Sequence, residues 1–315
     1  MHRSALPAPR QLTHDAVFYT GEREFVGALA PFVEEGLADG DAVIVAVPAP
    51  HTALLRTALG GAGRRVTYID RDECYRRPAA TIAGWQRLLG EARGSGHRHV
   101  RVIGEVAFGV PGRHQSWTRY EAALNELFAG EPAWIVCPYD TAAHTPAVLA
   151  DARRTHQAVF DPVRRPSDAY VAPRQLLAEL VEPAPAVDGP PAVSIDLRDV
   201  ASIGVARHGV AAAAAAHGVG LRRIEDLQLV CSELTANSIR HGAGARRLRL
   251  WLAADSVIGE VTDEGGGIGD LLAGYQAPPQ GTAGGWGLWI SSQLCEEFSI
   301  ARDGATTRVR FRMAF

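Results

Sequence analysis

The sequence of 315 residues contains no lysine, so all 32 of its basic side chains are arginine. This absence excludes the phosphate-binding loop with the pattern G-x-x-x-x-G-K-[ST], because the lysine of that loop contacts the phosphates. Any nucleotide that this chain binds must therefore be held by other donors, such as backbone N–H groups or arginine side chains.

Cysteine and long apolar runs are also scarce. Cys74, Cys137, Cys231 and Cys295 form no C-x-x-C pair, which excludes the common zinc ribbons and gives no disulfide framework. We interpret them as free, buried thiols in a reducing compartment. Residues 1–10 lack the apolar core of a signal peptide, and no stretch approaches the roughly 18 apolar residues of a membrane span. The sequence therefore predicts a cytoplasmic protein.

The composition is that of a globular protein, with 47% hydrophobic and 21% charged residues. A net charge of -3 gives no sign of a nucleic-acid-binding surface. The length favours two domains, and the segment 161–191 carries seven prolines, which resist helix and sheet interiors. We predict a first domain at 12–162, a proline-rich linker at 163–192 that contains a short helix, and a second domain at 193–315.

Strands and helices alternate in the first domain. Runs of β-branched and apolar residues predict strands at 42–47, 65–69, 99–103 and 134–137. Helical patterns cover 22–38, 51–59, 79–92 and 117–129. This order is typical of an α/β domain whose parallel sheet is covered by helices on both faces.

The order of elements changes in the second domain. A strand at 194–197 precedes helices at 200–216 and 223–241, which are followed by strands at 246–253 and 257–262. A glycine-rich loop, a helix at 287–295 and strands at 297–302 and 307–313 come next. Helices grouped on one side of a mixed or antiparallel sheet predict an α+β sandwich.

Three separated segments of the second domain carry the chemistry. In the first, Glu233, Asn237 and His241 are spaced by four residues, so they form one column on a helix. A carboxylate and an amide in such a column can hold Mg²⁺ and a water, because hard cations prefer oxygen ligands. A polar helix edge would show the same pattern. The column borders an apolar stripe of Leu227, Val230 and Leu234.

The second segment is the run DEGGGI at 263–268, directly after an apolar strand. An acidic residue at a strand end can accept a hydrogen bond from the amino group of adenine, and glycines let the backbone approach a ligand closely. The third segment, GGWGL at 284–288, opens a helix whose free N–H groups favour phosphate without any lysine. Alone, the second segment also fits a plain glycine-rich turn, and a lone G-x-G is a weak signal.

Together and in this order, the three segments resemble the N, G1 and G2 boxes of the ATP-binding domain shared by gyrase, Hsp90, histidine kinases and MutL. The resemblance implies an α+β sandwich of the Bergerat type that binds ATP and Mg²⁺. It implies that Glu233 positions or activates the attacking group, that Asn237 ligates Mg²⁺, and that Asp263 reads adenine. His241 would be a neighbour of the nucleotide.

The resemblance also implies roles for the glycine-rich segments. Gly265 and Gly267 would begin a lid over the nucleotide that extends to Gly284. Gly285 and Gly287 would contact the phosphates. The apolar neighbours that complete the implied binding site are Ile268 and Leu288.

Within that superfamily, the second domain is most similar to bacterial anti-sigma factor serine kinases, whose motifs E-L-x-x-N-x-x-x-H, D-x-G-x-G and G-x-G-L all occur here. Such proteins bind a sigma factor and phosphorylate a serine or threonine of an anti-anti-sigma partner of the STAS type. They often carry a basic residue just before the last glycines, whereas this chain has Thr282, Ala283 and Gly284. This departure predicts weaker phosphate stabilisation or an arginine supplied from elsewhere, and it affects catalytic rate more than ATP binding.

The first domain resembles a sensory domain of methanogen and methylotroph regulators called MEDS. The resemblance rests on HDAVFY at 14–19, FVEEGLADGD at 32–41 and VIGE at 102–105, and it implies a RecA-like sheet. The phosphate loop of that fold would fall at 20–23, which lacks the required glycines and lysine, so we predict a degenerate fold that binds an unknown small-molecule signal. Glu105 stands at a strand end, where an active relative would have a metal-binding acid.

Two other groups in the first domain allow a functional and a structural interpretation. Trp85, Trp117 and Tyr120 could line a ligand pocket, although aromatic residues at helical spacing are more often core. His97 and His99 form an H-x-H pair that could bind a metal, but no further ligand lies near them in the sequence.

We therefore predict a signal-responsive regulator of a sigma factor that transfers phosphate from Mg-ATP to an anti-anti-sigma protein. The alternative is a non-catalytic switch, in which bound ATP only changes the affinity for these partners. A histidine kinase acting on a partner's histidine is the third interpretation, because the proline-rich segment offers no helical hairpin with a histidine of its own. The resemblance also suggests a homodimer, and nothing predicts contact with nucleic acid or a membrane.

Overall fold

In the computed structural model of this chain, the described residues are 11–108, 114–161, 163–279, 281–282 and 285–315. Residues 1–10, Pro162, Ala283 and Gly284, to which parts of the sequence interpretation refer, lie outside these ranges. The chain divides into two compact units, Met1–Leu180 and Val181–Phe315. Within the described ranges, each helix is too short or too polar to cross a membrane.

The first unit is built around a mixed, seven-stranded sheet in the order β3-β2-β4-β5-β1-β6-β7. All neighbouring strands are parallel except β6 and β7. The predicted parallel sheet is found in β1 to β6, and β7 adds an antiparallel edge strand, because so short a connection between β6 and β7 permits only an antiparallel hairpin. The strands are β1 (Thr13–Tyr19), β2 (Ala42–Ala46), β3 (Thr67–Tyr68), β4 (Val100–Gly104), β5 (Ala133–Asp140), β6 (Ala158–Phe160) and β7 (Arg164–Pro166).

Helices cover this sheet. Every residue of β4 is buried, which requires cover on both faces of the central strands. Proline stands in the first turn of α2, α4, α6 and α7, where its missing N–H costs no helical hydrogen bond. The helices are α1 (Gly21–Asp39), α2 (Ala49–Leu59), α3 (Arg71–Cys74), α4 (Pro78–Gly94), α5 (His114–Leu127), α6 (Pro146–Thr155) and α7 (Pro173–Glu179).

The proline-rich segment is divided between the two units. Its first part belongs to the first unit, where Arg164 of β7 donates two hydrogen bonds, of 2.8 and 3.1 Å, to the buried carboxylate of Asp15. Helix α7 buries Leu176 and Leu177 in the same unit. The following residues lie on the second unit, where the carbonyl groups of Glu182, Pro185 and Gly189 accept hydrogen bonds from Ser299, Arg310 and Trp251.

The second unit is a two-layer α+β structure with an antiparallel five-stranded sheet in the order β11-β12-β10-β9-β8. Alternate residues of the sheet, among them Leu250, Val261 and Phe311, pack with Val210 and Val230 of the helices in one core. The elements are β8 (Val193–Asp196), α8 (Ala201–Ala216), α9 (Leu221–His241), β9 (Arg247–Leu252), β10 (Ser256–Asp263), α10 (Trp286–Leu294), β11 (Glu297–Asp303) and β12 (Thr306–Ala314).

Candidate functional site

The three sequence segments of the second unit meet around one cavity of about 390 Å³. Its walls are the last turns of α9, the end of β10 with the loop that follows, the start of α10, and β12. The predicted site residues that line it are Asn237, His241, Asp263, Gly265, Gly267, Ile268, Gly285 and Leu288. Residues as far apart in the sequence as Asn237 and Leu288 therefore face the same cavity.

Glu233 and Gly287 lie beside this cavity, where α9 meets α10. A Cβ atom placed on Gly287 would lie 2.7 Å from Oε2 of Glu233 and 3.0 Å from Nδ2 of Asn237. A Cβ atom at this position would push the ends of both side chains aside. The helix packing thus brings a carboxylate and an amide against a helix N-terminus, as the four-residue spacing on α9 predicts.

The acidic group of the cavity wall comes from the end of β10. Asp263 is the last residue of β10, and its Oδ1 accepts a hydrogen bond of 2.9 Å from the N–H of Gly265. A Cβ atom on Gly242 would lie 2.7 Å from Cγ of Asp263, so the end of β10 directly abuts the end of α9. Asp263 is held in place by the glycine-rich loop and still borders the cavity.

The start of α10 offers free backbone donors. Gly285 precedes the helix with φ of +83°, a left-handed conformation that glycine adopts without strain. Among the described residues, no side chain caps this end, and the first turn carries no acidic residue. The first N–H groups of the helix therefore remain available for an anion.

The sequence interpretation missed three polar residues that line the cavity, Ser238, Arg240 and Thr307. Ser238 is buried, and its Oγ has no hydrogen-bond partner in the described part of the chain. Arg240 follows Asn237 by three residues on α9, and this helical spacing could have identified it as an arginine near phosphate. Thr307 lies directly opposite Asp263 in the pairing of β12 with β10, which only the strand register reveals.

In the first unit, Glu105 follows β4 and pairs with a histidine. Nδ1 of His51 donates a 2.9 Å hydrogen bond to Oε2 of Glu105. Burial raises the pKa of Glu105 above its usual value, and the contact with His51 lowers it in part. The predicted position of a phosphate loop is occupied by the start of α1, whose first turn carries Glu22 and Glu24. These carboxylates would repel a phosphate.

The aromatic and H-x-H groups of the first unit have structural roles. Trp85, Trp117 and Tyr120 are almost completely buried, and the rings of Trp117 and Tyr120 lie 5.3 Å apart, so these residues form core. Nδ1 of His97 contacts the carbonyl of Gly40, whereas Nδ1 of His99 contacts a carboxylate oxygen of Asp41. The two histidines thus serve separate partners.

Two comparisons with known families agree with this geometry. Residues 197–313 match the family described as the histidine kinase-like ATPase domain. Residues 13–157 match the MEDS family, described as the methanogen/methylotroph, DcmR sensory domain. No curated protein matches the chain at a significant level.

The second unit therefore contains an ATPase domain of the histidine kinase-like class, and membership of this class implies ATP binding. The chain as a whole is a fusion of a MEDS sensory domain with a histidine kinase-like ATPase domain. The resemblance to the MEDS domain and the resemblance to the histidine kinase-like ATPase domain are thereby confirmed. A sensory domain joined to a kinase-like ATPase domain suggests a regulatory ATP-binding protein.

Proposed function

We propose that this protein regulates a sigma factor by binding Mg-ATP in the cavity of the second unit and phosphorylating a serine or threonine of an anti-anti-sigma partner. The observation that carries the proposal is the meeting of Glu233 and Asn237 with the uncapped start of α10, beside a cavity that Asp263 borders on its other side. In this arrangement a nucleotide can place its base and its phosphates on opposite sides of one cavity.

Adenine fits the side of the cavity formed by Asp263, Ser238 and Thr307. The carboxylate of Asp263 accepts a hydrogen bond from the exocyclic amino group of the base. The hydroxyl group of Ser238, which has no partner among the described residues, and that of Thr307 supply further polar contacts. Such a site disfavours bases that lack the amino group, because Asp263 would then keep only its hydrogen bond from Gly265 and gain none from the base.

The phosphates fit the start of α10, and the chain's residues suit a bound Mg²⁺. The amide oxygen of Asn237 is a hard oxygen donor of the kind that this cation prefers. The N–H groups after Gly285 bind phosphate oxygens and replace the lysine that the chain lacks. Mg²⁺ would neutralise charge on the transferred phosphate.

Transfer requires a base and an aligned hydroxyl. The partner's hydroxyl oxygen forms a bond to the γ-phosphorus, the bond from that phosphorus to the oxygen bridging the β- and γ-phosphates breaks, and ADP leaves. The hydroxyl proton passes to the carboxylate of Glu233. Most of the rate enhancement comes from holding the hydroxyl in line, as is usual in phosphoryl transfer.

The test is transfer of labelled phosphate from ATP to candidate anti-anti-sigma proteins encoded in the same genome. We expect the wild-type protein to label a serine or threonine of one partner. Glu233→Gln is expected to bind ATP but to lose transfer by about 100-fold or more, the usual contribution of a general base. Asn237→Ala is expected to lose Mg-ATP binding as well.

Glu225→Gln is the matched control, because Glu225 is an exposed residue of the same helix that does not line the cavity. This variant should label the partner at the wild-type rate. ATP binding without any phosphate transfer would rule out the kinase function and leave the second candidate function, an ATP-dependent binding switch. That candidate is favoured by the absence of a basic residue at 281–284, and it predicts that ATP changes the affinity for the partner.

Besides the backbone N–H groups, we expect Arg240 to supply the positive charge that a lysine would give to the phosphates. It is exposed, lines the cavity and lies one helical turn beyond Asn237. Arg240→Ala should weaken ATP binding by about tenfold, the scale of one charge-assisted hydrogen bond, and leave adenosine binding unchanged. Calorimetric titration with both ligands separates these effects.

Arg207→Ala provides the comparison for this test, since Arg207 is an exposed arginine of α8 away from the cavity. Its affinity for ATP should equal that of the wild type at the same ionic strength. Equal losses of ATP and adenosine affinity in Arg240→Ala would instead mean that Arg240 shapes the cavity rather than contacting phosphate.

A further inference from the structure

Four potential metal ligands converge inside the first unit, well away in the sequence from the ATP-binding motifs. They are His14 of β1, Glu121 of α5, Cys137 of β5, and His156, which directly follows α6. One ligand atom from each lies within 4.8 Å of the others, and all four residues are at most 3% exposed. A buried glutamate and a buried histidine pair need compensating partners.

The separations are those of a metal site. Nε2 of His14 lies 3.1 Å from Oε2 of Glu121 and 3.3 Å from Sγ of Cys137. Oε2 of Glu121 lies 3.8 Å from Nε2 of His156. Ligands bonded to zinc at about 2.0–2.3 Å in a tetrahedron are separated by roughly 3.3–3.8 Å. Sγ of Cys137 lies 4.0 Å from Oε2 of Glu121, and the remaining pairs lie within 4.8 Å, so the four groups would have to draw closer to surround one ion.

Neighbouring groups orient both imidazoles with their lone pairs toward the centre. Nδ2 of Asn125 donates a 2.6 Å hydrogen bond to the carbonyl of Thr155. Oδ1 of the same amide therefore faces Nδ1 of His14 at 3.0 Å and accepts a hydrogen bond from its N–H. Nδ1 of His156 likewise donates to the carbonyl of Ala152 at 2.8 Å. With Nδ1 engaged in this way, a neutral ring at either position carries its lone pair on Nε2, the form in which histidine binds metals.

Two potential acceptors at the centre lack a donor. Nε2 of His156 and Oε1 of Glu121 have no hydrogen-bond partner in the described part of the chain. Without a metal, the Cys137 thiol can donate toward Nε2 of His14 or Oε2 of Glu121. A bound cation would replace that thiol proton, which is released, and would give the two unpartnered acceptors a partner. The outer hydrogen bonds from Asn125 and Ala152 are the kind that orient metal-bound histidines.

We propose that the first unit binds a divalent transition-metal ion of the zinc class through His14, Glu121, Cys137 and His156. Two nitrogens, one thiolate and one carboxylate oxygen in a tetrahedral set suit Zn²⁺ and exclude Mg²⁺ and Ca²⁺, which prefer oxygen alone. Because four protein groups complete the coordination and are shielded from solvent, the ion stabilises the first unit and does not activate water.

The test is the metal content of the full-length protein and its response to Co²⁺. We expect one Zn²⁺ per chain by elemental analysis, and a thiolate-to-cobalt charge-transfer band after replacement of Zn²⁺ by Co²⁺. Cys137→Ser should lower the Zn²⁺ content at least about tenfold and remove the band, since even outer partners of a metal site contribute 10–100-fold in affinity. Cys74→Ser, which changes a thiol of the same unit outside the cluster, should keep both.

A second variant keeps the test decisive if Cys137→Ser does not fold. The triple variant Cys74→Ser, Cys231→Ser, Cys295→Ser retains Cys137 as the sole cysteine and should still give the cobalt band. A protein that neither contains Zn²⁺ nor takes it up after chelation would overturn the proposal, and the four groups would then share protons in a hydrogen-bonded network. Bound metal that gives no thiolate-to-cobalt band would place the ion elsewhere and overturn the proposal. Metal that is retained in Cys137→Ser would overturn the proposal for the same reason.

Discussion

Gly287→Ala is expected to weaken Mg-ATP binding by about 100-fold or more, equivalent to about 2.7 kcal/mol, while the second unit remains folded. The added methyl group would overlap Oε2 of Glu233 and Nδ2 of Asn237, at 2.7 and 3.0 Å. Both atoms end flexible side chains, so they would move away and the backbone would stay. The groups proposed to hold Mg²⁺ and the attacking hydroxyl would then be displaced. Calorimetric titration with Mg-ATP measures the loss.

The stability of this variant should change little, because alanine favours helix over glycine by up to about 1 kcal/mol. Gly204→Ala is the control, since Gly204 lies on α8 and an added Cβ meets no atom within 4 Å. It should bind ATP as the wild type does. Wild-type affinity in Gly287→Ala would mean that the positions of Glu233 and Asn237 do not matter for nucleotide binding.

Glu260→Ala is expected to destabilise the second unit by about 3 kcal/mol, at the lower end of the range for breaking a buried ion pair. Glu260 on β10 is 3% exposed and lies directly opposite Arg249 of β9 and Arg310 of β12. Its Oε1 accepts a 2.9 Å hydrogen bond from Arg249, and its Oε2 accepts one of 2.9 Å from Arg310. Because both arginines are partly exposed, water compensates for some of the loss.

The thermal transition of the second unit should fall by on the order of 10 °C in Glu260→Ala. Hydrogen exchange in the full-length chain shows which unit loses stability. Amides of β9, β10 and β12 should exchange faster in the variant, while those of β1 and β5 should not change. Asp196→Ala is the matched control, because Asp196 pairs with Arg247 across β8 and β9 but both side chains are about half exposed. Its cost should stay below about 1 kcal/mol. Equal effects in the two variants would contradict a special role for burial.

The elements of the second unit follow closely from its sequence. The column of Glu233, Asn237 and His241 depends only on helical periodicity, and Leu227 and Leu234 beside it are buried as the pattern predicts. The strand that ends at Asp263 and the helix that starts after Gly285 are likewise set by local signals. Helix and strand periods act over a few residues, so a single sequence reveals them.

The strand order and the partners across the cavity do not follow from such signals. Thr307 faces Asp263 because β12 pairs with β10 in one register, and Ser238 is buried because α9 packs on the sheet. The antiparallel edge of the first sheet was not predicted for a similar reason, since β6 and β7 have only three residues each and carry too weak a pattern.

The sequence by itself thus determined the two kinds of domain, the absence of a lysine-based phosphate loop, and the side chains proposed to handle ATP. Each depends on composition or on residues a few positions apart. Only the tertiary structure decided that Glu233 and Asn237 meet Gly287, and that His14, Glu121, Cys137 and His156 share one buried centre. These contacts join residues far apart along the chain, and their closeness arises from the packing of whole helices and strands.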